Sequence, residues 1–136
     1  MNINHAEMEK GIKNTIVVSV AEGDTARVLR SGTLDVWGTP AMAALIEETA
    51  WKSVAPYLNE GQSTVGSKLD ICHLSPSPVG MNVRCETVLV EIDGRRLSFK
   101  AEVYDEAGLV GTASHERFII DSERFMAKAE GKMAAQ

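Results

Sequence analysis

The chain has 136 residues, of which 44% belong to the set AVILMFWYC and 24% are charged, with 11 Gly and 4 Pro. That is the length of one domain and the balance of a folded globular chain, which excludes a multidomain plan, disorder and collagen-like repeats. With 14 Lys and Arg against 19 Asp and Glu the formal net charge is −5, and an acidic surface repels phosphate backbones, so general nucleic-acid binding is disfavoured.

In chain order, residues 1–13 are polar and are expected to be mobile, and their opening, MNINHAEMEK, has acids but no apolar run and does not read as a secretory leader. Residues 14–20, NTIVVSV, are rich in β-branched side chains and predict a first strand. A connection of mixed polarity follows over 21–37. Thr39-Pro40 then marks a helix start: Thr accepts from free backbone N–H groups, and Pro gives up only a donor that had no partner. The run PAMAALIEETAWKSVAPYL continues as a helix to about Pro56, apolar nearly all round and so expected to be buried nearly all round. Its most apolar part, 40–46, is far shorter than the roughly 20 residues needed to cross a bilayer, and no membrane span is expected.

Strand signals dominate after the helix. Residues 65–75 lead into the turn SPSPVG, and 81–92 form a strand closed by Asp93-Gly94, which suits a tight two-residue hairpin. Over 96–104, Leu97, Phe99, Ala101 and Val103 alternate with Arg96, Ser98, Lys100 and Glu102. A turn at 105–108, a strand over 109–120, and a short helix with a mobile end at 130–136 complete the chain. The order of one strand, one long helix and about four antiparallel strands predicts an α+β fold in a single domain, 1–136. An antiparallel sheet wrapped around one long central helix is the hot-dog architecture. Such a unit leaves a sheet edge and part of its helix open, and the core has only seven aromatics (3 Phe, 2 Trp, 2 Tyr). A homodimer that seals both is therefore expected. Cys72 and Cys85 show no CxxC spacing and read as reduced, buried structural thiols in a cytoplasmic protein.

Several side chains could carry chemistry. Glu47 and Glu48 lie about 100° apart around the helix, so they face different surroundings. Glu48 has Lys52 four residues on and belongs to the wet side. Glu47 has Ala43, Ala44, Ala50 and Trp51 at three and four residues, where a carboxylate is poorly solvated and its pKa rises, as for a base or nucleophile; the alternative places it at the margin with its head in water. Thr39 caps the helix and equally stands at the positive dipole end, where an oxyanion is stabilised. Eight residues at ~1.5 Å rise separate Thr39 from Glu47 by roughly 12 Å, so one reaction centre using both needs a spanning substrate or a second chain. His73 falls on the same strand face as Leu69 and Ile71, either a hydrogen-bonded core histidine or an acid–base group. His115 and Arg117 share a face, fit for an ion pair or a phosphate clamp. The three histidines (5, 73, 115) lack metal-ligand spacing, no cofactor is called for, and GxGxxG, GxxxxGK[ST] and GxSxG are absent.

TPAMAALIEETAWKSVAPYL, VGSKLDICHLSPSPVG, DGRRLSF and SHERFII with ERFMAKAEGK behind it, spread in order over 14–132, resemble the hot-dog thioesterases of the fluoroacetyl-CoA thioesterase type. The resemblance implies Thr39, Glu47 and His73 as the reactive group, Gly66 as a backbone N–H donor close to the site, and Arg117 near the bound thioester. In that family the fluoroacetyl-specific enzyme carries lid aromatics before the reactive Thr, whereas VLRSGTLDVWG has no Phe. The expected activity is hydrolysis of a short-chain acyl-CoA, or a similarly small acyl thioester, to carboxylate and thiol. The alternative is a non-catalytic acyl-CoA or small-ligand binding module in the same groove; a hot-dog dehydratase or hydratase ranks last, for want of a paired Asp and His.

Overall fold

The computed structural model describes residues 8–134. Five strands form one antiparallel sheet: β1 (Lys13–Ser19), β2 (Gln62–His73), β3 (Asn82–Asp93), β4 (Arg96–Asp105) and β5 (Gly108–Asp121), in the order β1-β3-β4-β5-β2. The sheet curls around α1 (Thr39–Val54), and α2 (Ser122–Ala134) follows β5. This is the hot-dog arrangement expected, with β1 and β2 as edge strands.

Sheet and helix meet because their apolar periods converge on one layer. Met42, Leu45, Ile46, Thr49, Ala50, Ser53 and Val54 form the buried face of α1, at the spacing that keeps side chains on one side of a helix. They pack against Val83, Cys85 and Leu89 of β3 and Leu97, Phe99, Ala101 and Val103 of β4. The expectation of a helix buried all round is corrected: Pro40, Ala44 and Trp51 are exposed and Glu47 is half-buried, because one sheet covers one side of a cylinder and nothing among the described residues covers the other.

Several boundaries move by a residue or more. The β3–β4 hairpin turns on Gly94-Arg95, since Asp93 pairs with Arg96. Gly94, at φ 62°, takes the first central position, which a type II′ turn reserves for glycine. Residues 8–13, expected to be mobile, are tied down: the Gly11 N–H donates to Leu89 O, the Leu89 N–H to Ile12 O, and Met8 and Ile12 pack on the second core cluster. Residues 1–7 of that stretch, and 135–136 of the other, lie outside the described residues. α2 is a regular helix from Ser122 through Ala134 with every side chain at least partly exposed. Cys85 is buried, and burial pushes its thiol up to about 11, whereas Cys72, expected to be buried, is exposed on the outer face of β2. None of the described helices is long and apolar enough to cross a membrane.

One irregularity positions the site. Gly66 pairs with Arg117 and Lys68 with Glu116, so Ser67 is an extra residue in β2, a β-bulge. Upstream of it Thr64 and Gly66 share the helix-facing side; downstream Leu69, Ile71 and His73 do.

Candidate active site

The sequence-derived residues fall into two groups at opposite ends of β2. Thr39 opens α1, but the residue capping the helix is Gly38, which has no side chain to offer, and the Ala41 and Met42 N–H groups donate to the Gly38 carbonyl. Thr39 therefore does not act as the cap expected from its sequence context. Its Oγ1 lies 2.8 Å from His73 Nδ1 instead, and its backbone N–H has no partner among the described residues. Gly38 is closely packed: a Cβ there would lie 3.2 Å from the Ala26 backbone, which would have to give by a few tenths of an ångström.

His73 closes β2 beside Trp37, whose buried indole meets the imidazole edge to face at 6.2 Å. The Nε2 of His73 is buried and has no hydrogen-bond partner among the described residues. Burial holds the imidazole below its ordinary pKa of 6.5, against a smaller upward pull from the Ser75 backbone. A neutral ring bonded to a hydroxyl, with its second nitrogen unsatisfied, is a proton-transfer group with spare capacity. The aromatic of the 26–37 segment thus lies against the imidazole, while Val28, Leu29 and Leu34 of that segment are exposed.

The second group surrounds Glu47. Its Oε2 is 3.3 Å from Arg117 Nη1, and its side chain is 43% exposed against 7% for the arginine. An enclosure of apolar neighbours, expected from Ala43, Ala44, Ala50 and Trp51, is not what Glu47 meets, because Ala44 and Trp51 are exposed, Ala50 is turned into the core, and the Glu47 side chain reaches across to β5. Arg117 is held on all sides. Its Nε donates to Thr64 Oγ1, its Nη2 to Thr64 O, and its Nη1 to Glu47 Oε2 and His115 Nε2. His115 Nδ1 lies 2.8 Å from the Lys68 carbonyl, which can only accept, so Nδ1 carries the proton and Nε2 accepts from the guanidinium. Burial is the main reason that His115 and Arg117 both lie below their ordinary pKa values. The arginine charge presses the histidine further down, and Glu47 draws the arginine back up. Gly66 leaves room for all of this: a Cβ would stand 2.5 Å from Glu47 Oε2 and 3.3 Å from both Arg117 Nη1 and His115 Cε1.

Glu48 forms an exposed ion pair with Lys52 at 2.6 Å, as its spacing predicted. Sequence reasoning missed Thr64 and the holding role of His115. The alternation that put His115 and Arg117 on one face was the available signal, whereas a threonine two residues before a bulge gives none.

The residue triad is thus divided within one chain into a hydroxyl–imidazole pair, Thr39 and His73, and a carboxylate–guanidinium group, Glu47 with Arg117 and Gly66. Seven residues of β2 at ~3.3 Å separate Gly66 from His73 by roughly 20 Å.

A family model described as fluoroacetyl-CoA-specific thioesterase matches residues 20–123. The fluoroacetyl-CoA thioesterase of Streptantibioticus cattleyicolor is 33% identical over 101 residues, which cover 74% of this chain and 73% of that protein. A crystal structure of a fluoroacetyl-CoA thioesterase superposes with a TM-score of 0.88 at 30% identity, covering 92% of this chain and 97% of the other. A thioesterase superfamily member from Thermus thermophilus superposes at 0.85 with 26% identity, covering 94% and 97%.

Proposed function

The chain belongs to the fluoroacetyl-CoA-specific thioesterase family, and on that footing we propose that it hydrolyses a short-chain acyl-CoA, or a similarly small acyl thioester, to a carboxylate and a free thiol, in the cytoplasm. The observation that carries the reading is the 2.8 Å contact between Thr39 Oγ1 and His73 Nδ1, a hydroxyl–imidazole pair at an exposed helix start whose second nitrogen is unsatisfied. Fluoroacetyl selectivity is not part of the proposal, because the segment that would supply aromatic lid residues has none free to do so.

The working unit is a homodimer built through β2. This edge strand carries one group of site residues at each end, so antiparallel pairing with its copy about a two-fold axis between Leu69 and Asp70 sets His73 of one protomer opposite Gly66 of the other. Each of two sites then takes Thr39 and His73 from one chain and Glu47, Gly66 and Arg117 from its partner. The same pairing caps an open sheet edge.

In such a site Glu47 and His73 draw the proton from a water as it attacks the acyl carbon. The tetrahedral oxyanion is met by the backbone N–H groups of Thr39 and Gly66 while the Thr39 hydroxyl orients the acyl group, and the C–S bond breaks as the thiolate leaves and is protonated. Arg117 keeps the Glu47 carboxylate aimed.

Thiol release followed with a trapping dye tests the activity, and Glu47→Gln should lower turnover about a hundredfold or more while Glu48→Gln changes it little. Equal rates in the two variants would remove Glu47 from the site. Tight thioester binding without thiol release would make the protein a binding module. The shared site has its own test: separately inactive Glu47→Gln and His73→Ala chains, mixed and allowed to exchange subunits, should regain about a quarter of wild-type activity, because half of the dimers carry one intact site. No recovery would place each site within one chain.

A further inference from the structure

The cations of this acidic chain are unevenly paired. Arg27, Lys52, Arg84, Arg96 and Arg117 each face a carboxylate. Of the nine others, none of which has an ion-pair partner among the described residues, Arg95, Arg124 and Lys128 line one cavity of about 540 Å³ between the β3–β4 turn and α2. Phe125, 41% exposed, and Gln62 are also in its wall. The one acid there, Asp121, accepts the Arg124 backbone N–H through Oδ1 and so is engaged at the helix start. On α2, Arg124, Lys128 and Lys132 follow one another at four-residue spacing, an arrangement that weakens a helix by like-charge repulsion unless an anion relieves it.

Gln62 belongs at the same time to a second cavity, of about 420 Å³, walled by Trp51, Ala55 and Leu58 and ending at Thr64 and Arg117. The two cavities therefore adjoin, and together they run from the Glu47 group to the cationic groove. Along β5, Arg117 and Asp121 are four residues apart, ~13 Å, and the groove lies just beyond. A ligand filling both would have an uncharged arm against Trp51 and Leu58, a polar turn at Gln62, and a multiply anionic end carrying a ring that can stack on Phe125.

We propose that the groove formed by Arg95, Arg124, Phe125 and Lys128 holds the 3′-phospho-ADP end of coenzyme A, with the pantetheine arm lying in the Trp51–Leu58 cavity and the thioester reaching Glu47. The assignment rests on the acyl-CoA reading above. Arg95 and Arg124 offer forked donors to phosphate oxygens and Lys128 a point charge one helical turn on, and the Phe125 ring gives adenine a stacking face.

The test compares acyl-CoA with the same acyl group on pantetheine, by thiol release, together with equilibrium binding of adenosine 3′,5′-bisphosphate to the full chain. Wild type should favour acyl-CoA in kcat/KM by about a hundredfold, with the preference eroded by salt. Arg95→Ala, Arg124→Ala and Lys128→Ala should each lower the acyl-CoA to acyl-pantetheine ratio about tenfold, the yield of one charge-assisted hydrogen bond at a partly exposed site. Binding of the bisphosphate should weaken in parallel. Lys100→Ala, the same charge change on the outer face of the sheet, should leave the ratio where it was. A wild-type ratio near one, a ratio unmoved in the triple variant, or selective use of an acyl group on a carrier protein would overturn the assignment while leaving the hydrolase standing. Bisphosphate binding that needs the three cations, in a protein that hydrolyses neither thioester, would do the reverse.

Discussion

Gly66→Ala separates the needs of the fold from those of the reaction. Position 66 lies in a strand at an ordinary φ, so alanine by itself should favour folding by about 0.5–1 kcal/mol through a less flexible unfolded chain. The new methyl would begin 2.5 Å from Glu47 Oε2 and 3.3 Å from Arg117 Nη1 and His115 Cε1, and ordinary contact starts near 3.4 Å, so the carboxylate must retreat by roughly 1 Å while the guanidinium and imidazole give by about a tenth of that. Glu47 is the far end of a flexible, 43% exposed side chain, and its partly screened bond to Arg117 is worth about 1 kcal/mol or less. The two contributions nearly cancel, and the melting temperature should stay within about 3 °C of wild type. A displacement of that size in a reacting group lowers turnover by about a hundredfold. Thiol-release kinetics and a thermal melt on the same preparation read both quantities. Wild-type turnover would refute the placement of Glu47, and a large fall in melting temperature would refute the claim that only the site feels the methyl.

Burial depresses the His73 imidazole, so the acid limb of kcat/KM should have its midpoint under the ordinary imidazole value of 6.5. His115 is depressed too. The folded chain therefore binds fewer protons than the unfolded chain just below pH 6.5, and stability in urea should be full above that value and decline as pH falls. His115→Phe keeps a flat ring but leaves the Lys68 carbonyl and one Arg117 N–H unpaired, so it should destabilise the fold by about 1–3 kcal/mol. It should also lower kcat more than it raises KM; an unchanged kcat would deny the ring its role in steadying Arg117.

Much of the fold was legible because it rests on period and punctuation. The Thr-Pro helix start, the alternation over 96–104 and the Asp-Gly turn were all read within a residue or two. The misses share a cause: they depend on contacts remote in sequence. Whether Thr39 bonds its own helix or a strand 34 residues on is decided by how β2 crosses the helix start. The two-residue turn slid one place because Asp93 finds Arg96 across the hairpin. Glu47 and Glu48 differ in partner and not in the solvation expected of them, their side chains being 43% and 42% exposed. Local spacing showed which of them Lys52 would engage, yet it could not show that a buried arginine 70 residues away would hold the other. Cys72 falls outward because it alternates with Ile71 and His73, which face the helix, so a thiol's apolar character was a poorer guide there than strand alternation.

The extra residue at Ser67 makes β2 two rulers joined out of step. Even-numbered positions before it and odd-numbered ones after it look at the helix, so Gly66 and His73, of opposite parity, serve the same side. Deleting one residue between 66 and 68 would restore a plain ladder and turn one end of the strand inside out, sending either the glycine or the imidazole to the convex surface. Length in this short stretch is therefore as strictly fixed as any side chain in the molecule.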